Sequence, residues 1–321
     1  MQMLRKFGHA ALGLALVMLV SVAPVRAADT VTIGTVGSPS ANLWPLFIAI
    51  EKGFFTAENI KADLIYIPAS APAIQQVAAG SLDMSFSTGL VDPIRAAEQG
   101  AALAIARFEI QAPPYALIAK PSIKSLKDLK GKVVSVGGPK DITRLYVDRM
   151  LAPHGLKTGD VDYVFAGATT ARAQALLSGA VDAAILTPPF NFHAQSAGFS
   201  LLGNTVDYVD MPFAGISVNT NWAANNKATV RKVIDVYTKS MAWLYDPANR
   251  DEAVQILMKV SKIKQADVEL AYDFLIKGKY LEATGKISRS KLGKLVDALK
   301  ALGDIPQDFS VDRLFLPGVT E

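Results

Sequence analysis

VTIGTVGSPSANLWPLFIAIEKGFF, residues 31–55, is the stretch that decides the fold. Residues 31–36 are mostly β-branched and stop at Gly37, the composition of a strand buried inside a sheet. Ser38, Pro39, Ser40 and Asn42 then supply turn and N-cap chemistry, and residues 43–50 carry an apolar helix that Gly53 ends. Pro45 sits in the first helical turn, where its missing N–H costs little. A helix that begins just beyond a strand aims unpaired N–H groups and a positive dipole end at the space above the sheet edge. That place suits a small ligand, with a lean towards anions. An ordinary strand-to-helix connection capped by Ser40 or Asn42 reads the same residues equally well.

The alternation continues downstream. Residues 63–67 form a second strand, Ser70 lies in the following loop, Pro72 opens a helix through Ala79, and Gly80 closes it. Residues 83–86 form a third strand with Ser87, Thr88 and Gly89 as its exit loop. A helix over 91–99 and a strand over 102–108 follow. Strands and helices alternating at this spacing predict a parallel sheet covered on both faces.

About a hundred positions later the pattern returns. Thr35, Val36, Gly37, Ser38 and Pro39 are echoed by Ser135, Val136, Gly137, Gly138 and Pro139. Gly80 and Asp83 are echoed by Gly179 and Asp182, and Thr187, Pro188 and Pro189 stand where Ser87, Thr88 and Gly89 stood. Two lobes of related topology would set their strand-exit loops face to face, with a ligand cleft between them. Pro113, Pro114 and residues 115–120 read as a crossover into the second lobe, and Pro212, Phe213 and residues 214–219 as a crossover back. Helices over 229–245, 247–260, 265–277 and 289–301 then return to cover the first lobe. In the last of them Leu292, Leu295, Val296, Leu299 and Leu302 form a stripe suited to core packing.

Composition narrows the function. The chain opens with Arg5 and Lys6, an apolar run over 10–23, and Val25 and Ala27 at positions suited to a cleavage site, the layout of a secretory leader cut after Ala27. Removing it takes Lys plus Arg from 33 to 30 against 29 acids, so the formal charge falls from +4 to +1. With no basic stripe in the mature part, nucleic acid is not an expected partner. Cysteine is absent, which excludes thiol catalysis, disulfides and a lipid-modified cysteine after the leader. His154 and His193 stand far apart and outside any metal-ligand spacing.

These residues resemble the periplasmic substrate-binding proteins of ABC importers, in the nitrate, taurine and alkanesulfonate branch. The resemblance is carried by PLFIAIEKGFF at 45–55, QQVAAGSLDMSF at 75–86, IKSLKDLKGKVVSVG at 123–137 and ALLSGAVDAAILTPP at 175–189. It implies an α/β, two-lobed periplasmic-binding-protein fold, type II-like, with two crossover hinge segments. The expected divisions are a leader over 1–27, lobe 1 over 28–118, lobe 2 over 119–212 and a return to lobe 1 over 213–321. It also implies a periplasmic receptor, monomeric and without cofactor, that passes a small-molecule solute to a membrane permease.

By position on the strand-exit loops, the resemblance points to Ser38, Ser40, Asn42, Ser70 and Thr88 in the first lobe and Gly138, Thr143, Arg144 and Thr187 in the second. Each hydroxyl serves equally well as a helix cap. Arg144, at a helix start, is suited to gripping a sulfonate or carboxylate, or to pairing with Asp141 or Asp148 on the surface. Tyr115 and Phe213 on the crossovers either wall the cleft, favouring an organic anion with an apolar or aromatic body, or pack the hinge. Asp83 and Asp182 read as backbone caps at strand starts. Two rival functions remain: an enzyme on the same bilobal fold, of the pyrimidine-precursor type, and a binding protein that presents solute to a sensor.

Overall fold

The computed structural model describes residues 27–37 and 39–318, so Ser38 and all of the expected leader except Ala27 lie outside the described residues. Along the chain come β1 (Asp29–Val36), α1 (Trp44–Glu51), α2 (Phe54–Ala57), β2 (Ile60–Ile67), α3 (Ser70–Ala79), β3 (Met84–Gly89), α4 (Val91–Glu98) and β4 (Leu103–Ile110). Next are β5 (Ala116–Ala119), β6 (Val133–Val136), α5 (Ile142–Leu151), β7 (Asp162–Phe165), α6 (Thr169–Leu177), β8 (Ala183–Leu186), α7 (Phe190–Ser196) and β9 (Ser200–Asn204). The chain finishes with β10 (Ala214–Asn219), α8 (Thr220–Asn225), α9 (Lys227–Tyr245), α10 (Arg250–Ser261), α11 (Gln265–Lys277) and α12 (Arg289–Ala301).

The strands form two five-stranded sheets, ordered β2-β1-β3-β10-β4 and β7-β6-β8-β5-β9. In both, three strands run parallel, and the fourth, β10 or β5, is antiparallel to its neighbours. The two orders superpose strand for strand, which is the repeat seen in the sequence. The stretches 115–120 and 214–219, expected as plain crossovers, instead supply β5 and β10, the inserted strands. Their runs of small and apolar residues are buried throughout, which is what an interior strand requires. The passages between sheets are therefore 111–115 and 205–213, with β5 already inside the second lobe.

Asp83 and Asp182 do the same work in the two sheets. Thr32 donates from its backbone N and its Oγ1 to Asp83 Oδ2, at 2.8 and 2.7 Å, tying β1 to the start of β3. Asp182 Oδ2 accepts from Val133 N at 3.0 Å and its Oδ1 pairs with Lys120 Nζ at 2.8 Å. Replacing Asp83 by Ala leaves two donors without their acceptor and is expected to cost about 1–2 kcal/mol in urea unfolding. An unchanged midpoint would show that water replaces the carboxylate at no cost.

The C-terminal helices cover the first sheet. Trp44 of α1 is 1% exposed, donates Nε1–H to Ala253 O of α10 at 2.8 Å and meets the Tyr272 ring of α11 edge-on at 5.7 Å. On α12, Leu292, Leu295, Val296 and Leu299 are buried, whereas Leu302, just past the helix end, is exposed.

Candidate functional site

Between the sheets lies a narrow cavity, partly open to solvent, lined by the loops that leave the three parallel strands of each lobe. The first lobe contributes Ser40 and Asn42 after β1, Ser70 after β2, and Ser87 with Gly89 at the end of β3. The second contributes Asp141 and Thr143 after β6, Thr169 and Arg172 after β7, and Thr187 after β8. Tyr115 and Phe213, on the two passages between lobes, complete it.

The lobes touch around this cavity. Ala41 N donates to Pro188 O at 3.2 Å, and Ala168 N donates to Pro68 O at 3.1 Å. Gly167 makes that second approach possible: its φ is +67°, and a Cβ there would lie 2.5 Å from Pro68 O. At the base, Phe213 N donates to Ile110 O, Thr205 N donates to Tyr115 O, and the Tyr115 and Phe213 rings meet edge-on at 5.0 Å. The two aromatics thus pack the passages and line the cavity at once.

The polar lining is short of partners. Asn42 Oδ1, Ser87 Oγ and Thr187 Oγ1 are buried without a hydrogen bond, in residues 7%, 8% and 0% exposed. Ser70 Oγ lies close enough to the Asp92 carboxyl to lower its pKa, yet makes no hydrogen bond of normal geometry. Buried polar atoms left unpaired cost free energy, so a group of them around a cavity suits a ligand able to supply the missing bonds. Capping does not account for these groups: Ser40 makes no capping bond, and neither α3 nor α6, whose first turns reach the cavity, has a side-chain cap. Their positive ends face the space between the lobes.

Arg172 is the cation of the site. It is 3% exposed, Nε donates to Ile185 O at 2.8 Å, Nη1 donates to Gly167 O, and the guanidinium lies 5.8 Å over the Tyr115 ring. Burial raises the Tyr115 phenol well above its ordinary range, so it stays protonated and able to donate.

Arg144, favoured from the sequence, is elsewhere. Its side chain donates Nη1–H to Pro139 O at 2.7 Å, lies 3.9 Å from Asp148 and 5.2 Å over the Tyr163 ring, in a separate outer groove. One residue past Thr143 on α5, it is turned about 100° away from the cavity. Thr143 lines the cavity, but its Oγ1 is committed locally, accepting from Gly137 N at 2.8 Å and donating to Asp141. Thr88 turns inward to Ser85 Oγ at 3.2 Å, and Gly138 lies outside the lining.

Sequence reasoning missed Ser87, Asp141, Thr169 and Arg172 as lining groups. Ser87 was expected in an exit loop; it is inside β3 with φ +55°, a left-handed geometry held by its N–H donating to Glu109 Oε2 at 2.5 Å. The β7 exit reads AGATTAR, a Gly followed by hydroxyls at a helix start, about a hundred positions after the Ser70 loop. The repeat could have pointed there.

The sequence profile of the NMT1/THI5-like family matches residues 40–250. The chain belongs to this family. No curated protein matches the sequence. Among solved structures, the alkanesulfonate-binding protein SsuA from Xanthomonas axonopodis pv. citri, bound to MOPS, is similar at TM-score 0.73 and 19% identity, over 88% of this chain and 96% of that one. The nitrate-binding protein NrtA from Synechocystis PCC 6803 follows at TM-score 0.72 and 14% identity, over 89% of this chain and 84% of that one. The desulfurization enzyme DSZB also shares the fold, at TM-score 0.67 and 15% identity, over 91% of this chain and 97% of that one. This NMT1/THI5-like chain thus has the two-lobed periplasmic-binding-protein fold. No helix among its described residues is long and apolar enough to cross a membrane.

Proposed function

We propose that this chain is a periplasmic solute-binding protein that captures a small organic acid between its lobes and hands it to the permease of an ABC importer. The observation that carries the reading is the cavity itself, where Asn42, Ser87 and Thr187 present unpaired buried atoms around Arg172. The uncapped starts of α3 and α6 and the guanidinium favour an acid group, and Tyr115 and Phe213 favour an apolar or aromatic body beside it. Movement about the two passages between lobes admits the solute, and the contacts at Pro188 and Pro68 form as it is enclosed. The solute's stronger binding to the enclosed form drives that movement.

A thermal-shift panel of sulfonates, aromatic and aliphatic carboxylates, nitrate and pyrimidines tests the reading. A ligand at about a hundred times its Kd adds about 2.7 kcal/mol, which for a chain of this size raises Tm by several degrees. A shift confined to organic acids is expected; shifts with pyrimidines alone, or none with any acid, overturn it. Because DSZB shares the fold, the bound compound is then recovered and its mass measured. Recovery unchanged supports a receptor, and conversion supports an enzyme.

A further inference from the structure

The lobes are also joined away from the cavity, on both faces of the second sheet. In β8, Ala183 and Ile185 share a core with Ile142 and Tyr146 of α5, whereas Ala184 and Leu186 share one with Leu176 of α6 and with Phe190 and Ala194 of α7. Alternate strand residues face opposite ways, so α5 and α7 lie on opposite faces. Each meets a helix of the first lobe: α5 begins beside α4, and α7 packs on α11.

The contact of α7 with α11 is centred on a buried carboxylate. Asp267 of α11 is fully buried, and both of its oxygens accept from α7: His193 donates Nδ1–H to Oδ2 at 3.1 Å, and Ser196 donates Oγ–H to Oδ1 at 2.7 Å. Lys264, just before α11, lies 3.8 Å from the same carboxylate. Beside them the Phe192 and Phe274 rings meet edge-on at 5.8 Å. Ile263 packs against the cluster of Phe190 and Ala194 as well as the core that holds α10 and α11. Helix α11 is itself fixed to the first lobe, since Tyr272 donates its hydroxyl to Leu244 O of α9 at 3.0 Å and lays its ring against Trp44. His193, Ser196 and Asp267 all stand outside the cavity lining, so their contact needs no solute.

The tie on the α5 face is lighter. Arg95 of α4 donates Nη1–H to Lys140 O and pairs with Asp304 of its own lobe. Around it the outer groove runs between Leu299 and Leu302 of the first lobe and Leu145 and Ala152 of the second. Parting the lobes there takes one carbonyl from Arg95 and leaves it a carboxylate. Parting α7 from α11 takes two donors from a charged group and uncovers Phe192, Phe274 and Ile263.

We propose that His193, Ser196 and Asp267 form a latch that keeps α7 on α11 with or without solute, so that the cleft opens asymmetrically, on the face where α4 meets α5. This rests on the lobe movement in the reading above and adds its direction.

Spin-label distance measurements on solute-free protein, stripped in urea and refolded, test it. The chain has no cysteine, so labels can be placed in chosen pairs. Ala197→Cys with Gln255→Cys spans the α7 face, and Gln99→Cys with Arg149→Cys spans the α5 face; all four positions are exposed. The first pair is expected to give one narrow distance and the second a broad distribution reaching longer distances. Adding Asp267→Ala should broaden and lengthen the first. His193→Ala, at a partly exposed side chain, should do the same and keeps the test alive if D267A does not fold. A broad distribution for the first pair without either substitution, or a narrow one that H193A leaves unchanged, overturns the latch while lobe movement stands. Narrow distributions for both pairs overturn lobe movement and the latch together.

Discussion

Replacing Arg172 by Met is expected to weaken binding of an acidic solute by about 10- to 150-fold in calorimetric titration, since hydrogen bonds to charged groups contribute about 1.5–3 kcal/mol. The guanidinium is buried and oriented by Ile185 O and Gly167 O, so little reorganisation is needed when an acid group arrives. Arg172→Lys separates charge from geometry: it retains the cation but not the planar fork, and should recover only part of the loss. Arg144→Met serves as the counterpart. Arg144 lies in the outer groove with Pro139 O and Asp148, so its removal should change affinity less than twofold. Full affinity in R172M, or a large loss in R144M, would place the acid group elsewhere.

Glu109→Gln is expected to change how stability depends on pH. The carboxyl is fully buried, and burial pushes its pKa up to about 7 from an ordinary 4.5, against the opposing pulls of Ser87 N–H, Tyr237 and Arg107. A raised carboxyl pKa means that the native state holds the proton more tightly than the unfolded chain. The stabilisation is therefore complete below about 4.5 and is lost as pH rises through about 7, an amount on the order of 3 kcal/mol. In E109Q that slope should vanish from urea-unfolding free energies measured between pH 4.5 and 7.5. The smaller share from Asp92, whose pKa is raised to about 6, should remain and has the same sign. Parallel profiles for the two proteins would show that Glu109 ionises at no cost. Since the amide still accepts from Ser87 N, the left-handed turn at Ser87 is kept, and solute binding should survive the substitution.

How far the sequence carried the description follows from which signals are local. β-branched runs ending at glycines, helix periodicity, and the echo of Gly80 and Asp83 in Gly179 and Asp182 are local, and they placed the two lobes and the caps on β3 and β8. The antiparallel insertions were not legible, because a short apolar run such as 116–119 reads alike whether it crosses between sheets or pairs inside one. Side-chain direction was the other gap. Ser40, Asn42, Ser70 and Thr187 lie on the lining because their loops do, whereas Arg144 fails by a single residue of helical rotation. Ser87 and Glu109 needed knowledge of a contact 22 residues apart in sequence, and no composition rule supplies that.

The insertion of β10 between β3 and β4 also dictates an order of events during biosynthesis. Every strand of the second sheet comes from one continuous stretch, 116–204, so that lobe can assemble as soon as its own residues exist. The first lobe cannot: β4 has no partner in its sheet until β10, more than a hundred residues later, slides in beside it. Until then β3 and β4 present bare edges, and Trp44 of α1 waits longer still for Ala253. Pairings this distant in the chain are slow to form, so the earliest-made part of the protein is the last to become native. In the proposed role of an exported receptor, such a delay keeps the leading half loose during passage through the membrane.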